Sequence, residues 1–326
     1  FLTSSTGDFT VNAIDAEVGT VTVGVTGDLN TGGVLSVINT EGAAQADLLI
    51  LNVGDDLTVT GLTTLTAAAG AGASSAINVT GDAAFTGAVT ATGGAGAGST
   101  ATLTVGGGAA FSGGINLVTN DKSILVLNGT AAQAVSGVIS GAGDITVSNT
   151  SSVTFTGDST FTGELTVNND TNDQTVTFNG DFAGGIFLGD NVTADIITAN
   201  FNGTTQAIAL GITGGAAETV DVNFLGGSTI TLSGAASSGI DTLDITGSTT
   251  VTTNQNLGAA AITVASGSTL ATTANTITGA VANAGTLLFG GGSGTGAITG
   301  AGLLDVNAGG TFTGALTQGT ADIAAF

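Results

Sequence analysis

Apolar and polar residues alternate one for one in short runs along the whole chain, as in VTVGV at 21–25, LTVTG at 57–61, VTFTG at 153–157, VDVNF at 220–224, ITLSG at 230–234 and LDITG at 243–247. A period of two sets Val, Ile, Leu or Phe on one face and Thr, Asn, Asp or Ser on the other, which predicts half-buried strands. Glycine, asparagine and aspartate close the runs, at Gly54-Asp55, Asn128-Gly129, Asn179-Gly180 and Asn202-Gly203, because these residues accept turn conformations. Helix is disfavoured, since Thr, Val, Gly and Asn all have low helix propensity and Glu and Lys are scarce.

Longer segments recur as well. GDAAFTGAVT from Gly81 returns as GGAAFSGGIN from Gly107, GDSTFTGELT from Gly157 and GGTFTGALT from Gly309. The intervals between their phenylalanines, Phe85, Phe111, Phe161 and Phe312, are close to one, two and six times a period of about 25 residues. SGVISGAGDI from Ser136 reappears as TGAVANAGTL from Thr278 and TGAITGAGLL from Thr295, and NGTAAQAV from Asn128 as NGTTQAI from Asn202. Alternation alone fits a sandwich, a barrel or a solenoid, and a string of small β-sandwiches competes. The repeat favours an all-β, right-handed parallel β-helix (β-solenoid) of about 13 coils of roughly 25 residues, stacked at about 4.8 Å. A single elongated solenoid over residues 1–326 is expected, narrowing over 279–326, where the corner segments from Thr278 and Thr295 follow each other closely. TAAAGAGASS at 66–75 and TATGGAGAGS at 90–99 read as extended corner loops, with hinges as the alternative.

Composition fits this picture and removes several functions. The chain has 326 residues, 56 glycines, no proline, and 42% hydrophobic residues; a ladder of backbone hydrogen bonds is a structure in which a missing N–H is hard to place. Twenty-four carboxylates face one lysine, Lys122, giving a net charge of −23, so neither a nucleic acid nor an anionic membrane is an expected partner. No run is apolar enough for a spanning helix. The absence of Cys, Met, Trp, Tyr and His, with a single Lys and no Arg, leaves few easily oxidised side chains and at most one tryptic site, as suits an exposed, durable, extracellular protein. Phe1 in place of an initiator methionine implies a processed or excerpted chain.

Segments such as ITVSNTSSVTFTG from Ile145, ITVASGSTLATT from Ile262 and LDVNAGGTFTG from Leu304 each read as strand, polar turn, strand. In these the chain resembles the β-helical passengers of bacterial autotransporters and the repeat regions of alphaproteobacterial surface-layer proteins. The resemblance implies an extracellular, cell-surface β-helix used for adhesion, coating or assembly.

Candidate chemistry is sparse. Without His, Cys, Arg or Tyr there is no Ser-His-Asp or Cys-His arrangement and no phenolic acid; carboxylate pairs that hydrolyse glycosides lack a stacking platform here, so no enzyme is expected. Calcium is the cofactor the acids favour, because most are Asp beside Gly or Asn in turns. Asp170, Asp173 and Asp181 are the metal candidates; Asp170, Asn172 and Asp181 hold positions one, three and twelve of an EF-hand-like spacing, although Thr175 stands where that loop needs glycine. Turn geometry is the plain alternative for such residues. Lys122, after Asp121 in VTNDKS, reads as a solvated or locally paired amine before an isopeptide donor. Threonine pairs at 20/22, 58/60, 175/177 and 250/252 echo ice-binding faces or are ordinary outward strand residues.

The expected function is a non-enzymatic extracellular structural protein, a subunit of a cell-surface filament or coat. It would be a homo-oligomer stacked end to end through Phe1, Phe9 and Phe326. A monomeric adhesin is the alternative, and an ice-binding protein a lesser one.

Overall fold

The computed structural model describes residues 9–12, 19–40, 47–148, 152–168, 173–189, 195–307 and 309–323. Among them every regular element is a strand, and the strands pair in parallel with their neighbours one coil away. The chain is a β-solenoid. No helix among the described residues is long and apolar enough to cross a membrane. The chain forms two compact units, Phe1–Asn168 and Asn169–Phe326.

In the first unit one coil consists of three strands separated by two tight corners, for example Leu48–Val53, Leu57–Val59 and Thr63–Thr66. Each pairs in register with the next coil: Leu51 beside Ile77, Val59 beside Phe85, Leu65 beside Ala91. Seven strands stack on the first face, from Thr20–Val25 to Glu164–Asn168. Alternate residues point inward and are fully buried, Leu49, Leu51, Val53 and Ile77 among them. The outward positions carry polar side chains that bond along the stack, as where Asn78 Nδ2 donates to Asn52 Oδ1 at 2.9 Å.

The coil has no constant length. Asp28 and Asp56, at equivalent places in successive coils, are 28 residues apart, whereas Asn52 and Asn78 are 26 apart. Farther along, Ala101 lies beside Ser123 and Ile145 beside Leu165, so the step keeps shrinking. The constant period expected from the repeat therefore holds only over the two steps of 26 residues from Asn52 to Asn78 and on to Thr104. Phe85 and Phe111 are true neighbours, their rings stacked at 4.9 Å and 8°. The column continues through Val135 and Phe155, however, not through Phe161. Phe161 is buried on a different face, just beyond Ser159, whose bridge partner is Ile139. Its copy of the repeat is out of phase because the intervening coils have shortened.

The column Thr31, Val59, Phe85, Phe111, Val135, Phe155 is accompanied, two positions later in each coil, by Gly33, Gly61, Gly87, Gly113, Gly137 and Gly157. At this corner successive backbones approach so closely that a Cβ on any of the last five would overlap the carbonyl of the glycine one coil before. Backbone spacing, not flexibility, makes the residue glycine.

The second unit repeats the principle with tighter coils. Eight strands stack from Gln174–Phe178 to Leu316–Ile323. The step falls from 23 residues at Asn200 and Asn223, through 21 at Asp221 and Thr242, to 17 at Thr276 and Ser293. This shortening begins well before residue 279. Phe178, Phe201 and Phe224 form an inward stack with ring centroids 4.7 and 5.2 Å apart. Register irregularities recur at Ser237/Ile240, Gly258/Ala261 and Gly300/Leu303, and such bulges bend a strand locally. Gln133 and Gln206, from the two NGT segments, have the same role in separate units. Each is buried, and each Nε2 donates to a carbonyl of the preceding coil, Gly107 O at 2.7 Å and Gly180 O at 2.9 Å.

Candidate functional site

Stacking turns a recurrent Gly-Asp turn into a row of carboxylates. Asp28, Asp56 and Asp82 each precede the short strand of the second face, and equivalent positions lie one coil apart. Asp56 Oδ1 accepts the N–H of Asp82 at 2.8 Å, and Asp82 Oδ1 that of Gly108 at 2.6 Å. Each acid thus caps a backbone donor that the turn leaves free. Asp55 joins the row, so that carboxylate oxygens of Asp28, Asp55 and Asp56 come within 4.8 Å of one another, all three exposed. Beside them runs a shallow groove of about 460 Å³ edged by Asp56 and Asp82 and floored by Ala84, Ala110 and Ala134. Hard cations are the ligands such oxygens suit. The signal lies in GDLN, GDD and GDAAF, a Gly-Asp pair that recurs at the coil spacing and that, taken segment by segment, says only that the chain turns.

The acids singled out from the sequence have a related local role. Asp173 Oδ1 accepts the N–H of Ile196 at 3.1 Å, and Asp181 Oδ1 that of Thr205 at 3.0 Å, each reaching one coil ahead. Asp170 lies outside the described residues, as do Phe1 and Phe326. Phe9 is half-buried in Phe9–Asn12, the first strand of a six-stranded face, beside Leu35.

Lys122 has a specific task. Its ammonium donates to three consecutive carbonyls of the preceding coil, Gly94 O at 3.0 Å, Ala95 O at 3.1 Å and Gly96 O at 2.7 Å. Thr119 Oγ1 bonds Gly93 O at 2.9 Å, and Ser123 Oγ accepts the Gly93 N–H at 3.1 Å. The loop so covered is the second of the two Gly/Ala stretches. It lies directly on the first, with Ala67 N–H on Thr92 O at 2.9 Å and Gly72 N–H on Ala97 O at 2.8 Å. A Cβ at Gly94 would overlap Ala68 O. The turn 119–123 replaces a third such loop, which is why the coil there contracts.

In the second unit a groove of about 550 Å³ is lined by Glu218, Ser238, Gly239, Asp241 and Ala259, among others. Asp241 Oδ2 accepts the Val220 N–H at 2.8 Å, while Glu218 is buried and its Oε2 accepts the Ala217 N–H at 3.2 Å. Among the described residues no aromatic ring lines this groove. On another face Thr229, Thr250, Thr269 and Thr286 stand in one column, but the next rank, Thr231 and Thr252, passes to Ala271 and Leu288. The pair Thr20/Thr22 meets Leu48 and Ile50, so no second array extends from it.

No family model, curated protein or solved structure matches this chain. The likeness to autotransporter passengers and surface-layer proteins therefore rests on the style of the repeat, of which the solenoid itself is the part that the structure bears out.

Among the described residues Asp144 sits in a setting that disfavours its charge. Burial, with the charges of Asp121 and Glu164 adding to it against a backbone hydrogen bond, raises Asp144 above the usual carboxylate range. A raised carboxyl binds its proton more tightly folded than unfolded, so the group opposes folding once pH climbs through its unfolded pKa and on past the folded value. Asp144→Asn should stabilise the protein at pH 7, by on the order of 0.5 kcal/mol or less once screening at this half-exposed site is counted. The gain, read from the melting midpoint, should vanish at pH 3; an equal gain at both pH values would refute it.

Proposed function

We propose that this chain is an extracellular, non-enzymatic structural protein that assembles with copies of itself into a cell-surface filament or coat. The observation that carries the reading is the half-buried Phe9 in Phe9–Asn12, which among the described residues is the edge strand of the six-stranded face of the first unit. In the second unit Leu316–Ile323 pairs with Ile298–Val306, and Leu316 is 43% exposed. A strand edge with apolar side chains is a template for strand addition. Coil lengths refine the geometry: the long step from Thr20 to Leu48 lies beside the first edge and the short one from Ile298 to Leu316 beside the second, so like edges match one another better than unlike ones. The net charge of −23 opposes association until salt screens it.

Sedimentation and negative-stain imaging over a concentration series should show assemblies that grow with protein and salt concentration. Phe9→Asp with Leu316→Lys should abolish them and leave the circular dichroism unchanged. Particles that stay single at every concentration would favour the second reading, a monomeric adhesin, for which the lateral grooves speak.

A further inference from the structure

We propose that the first unit carries a lateral dimer surface: the rib formed by Val34, Leu62, Ala88, Gly114 and Val138 packs antiparallel against the same rib of a second copy, on a two-fold axis at Ala88. Each of these residues immediately precedes the third face of its coil. The residues that follow them, Leu35, Thr63, Val89, Ile115 and Ile139, pair in parallel register, so the rib residues stand one above another at the strand spacing. The rib faces solvent: Leu62 and Val138 are 56% and 51% exposed. Beside it runs a column of exposed hydroxyls, Thr60, Thr86, Ser112 and Ser136. An apolar strip rimmed by polar residues marks an interaction site, whereas single exposed apolar side chains need no explanation.

Charge, shape and hydrogen bonding each point to a second copy as the occupant. The chain has a net charge of −23, yet residues 30–38, 58–66, 84–92, 110–117 and 134–141, which make up the rib and its flanks, include no charged side chain. Asp158 ends this sector at the next rung, beside Ser159, whose bridge partner is Ile139. Two copies therefore meet here without setting acid against acid, and a cationic partner finds nothing to pair with. Along the rib the profile is large at Leu62, small at Ala88, empty at Gly114 and large again at Val138. Turning one copy end over end about an axis through Ala88 sets Leu62 of each copy over Gly114 of the other, Val138 over Val34, and Ala88 on Ala88, an isologous contact. An axis between Ala88 and Gly114 would instead drive Leu62 against Val138. The same rotation brings the hydroxyl columns face to face, Thr60 opposite Ser112 and Thr86 opposite Thr86, and a hydroxyl both donates and accepts. The rungs from Val34 to Val138 span about 20 Å. With a comparable width, the contact covers on the order of 500 Å² per partner, the small end of specific interfaces, so the dimer is weak.

This contact goes beyond the end contacts proposed above and does not depend on them. The test is made in the Phe9→Asp/Leu316→Lys background, which removes end assembly; Phe9 stands in the column of the buried Leu35 and Thr63, so the rib is untouched and the two readings fail separately. With salt high enough to screen the net charge, light scattering should show a dimer at protein concentrations on the order of 100 μM. Leu62→Asp, at a side chain more than half exposed, should raise the dissociation constant about tenfold or more with unchanged circular dichroism. Ala88→Leu separates a fitted contact from general stickiness: it should weaken the dimer, because like meets like on the axis, although it adds apolar surface. The chain has no cysteine of its own, so with oxidised glutathione as oxidant Ala88→Cys should give a disulfide-linked dimer. Leu62→Cys, offset from its copy by two rungs or about 10 Å, should not. A protein that stays monomeric in this background overturns the inference, as does a dimer that ignores Leu62→Asp, tightens with Ala88→Leu or is linked as readily through Leu62→Cys. If a substitution at Ala88 loses its strand circular dichroism, Val138→Asp, also at a side chain more than half exposed, is read instead: a weakened dimer is expected, and an unchanged one overturns the inference.

Discussion

Phe201→Ala is expected to destabilise the second unit by about 3–5 kcal/mol, the usual cost of deleting a buried aromatic ring. Phe201 is fully buried between Phe178 and Phe224, one coil before and one after. Its ring lies 4.7 Å from the first, at 12°, and 5.2 Å from the second. A solenoid coil contacts only its neighbours, so the interior cannot collapse from afar to fill the void. Urea unfolding followed by fluorescence of a label on this unit should show a lower midpoint with little change in slope. Phe312→Ala provides the internal comparison. Phe312 is half-buried and meets Phe289 edge-on at 4.8 Å, so its removal should cost on the order of 1 kcal/mol. Equal losses at the two positions would mean that the stack of three rings is not the interior of the fold.

Gly113→Ala is the second large effect, and it works through repulsion. The methyl group would overlap Gly87 O and lie 2.7 Å from Ala88 N, atoms of a backbone held in parallel register on both sides. Because no flexible side chain can yield, the coils must separate locally. Overpacking a tight interior costs about 1–3 kcal/mol, and the upper end applies here because both partners are main chain. Gly309→Ala, with nothing within 4 Å of the added Cβ, should be close to neutral. Hydrogen exchange would locate the damage, with faster exchange of the amides of Ser112 and Ser136, which bond across this corner. Unchanged protection there would show that the coils are spaced more loosely than the column requires.

Several features are legible in the residues because they are local. Alternation of Val, Ile and Leu with Thr and Asn names strands and their inward faces, since side chains on a strand project to opposite sides in turn. The Phe85 and Phe111 segments mark out one full coil between them, and the register pairs those residues directly. TAAAGAGASS and TATGGAGAGS are recognisable as corners, and they stack. Phe161 misleads because a recurring motif fixes a local corner but not its phase; once the coils shorten between Phe111 and Phe155, the same F-x-G words fall on different faces.

What the chain determined by itself is thus the strand, the corner and the small inward side chain, all properties of a few adjacent residues. Only the tertiary structure decided which residues from successive coils stand above one another. Asp28, Asp55 and Asp56 meet there although up to 28 residues separate them, and Lys122 reaches carbonyls 26 to 28 residues back. The reason is physical: a side chain meets its neighbours across the stack, and the distance along the chain to the next rung is set by corner lengths that vary from coil to coil.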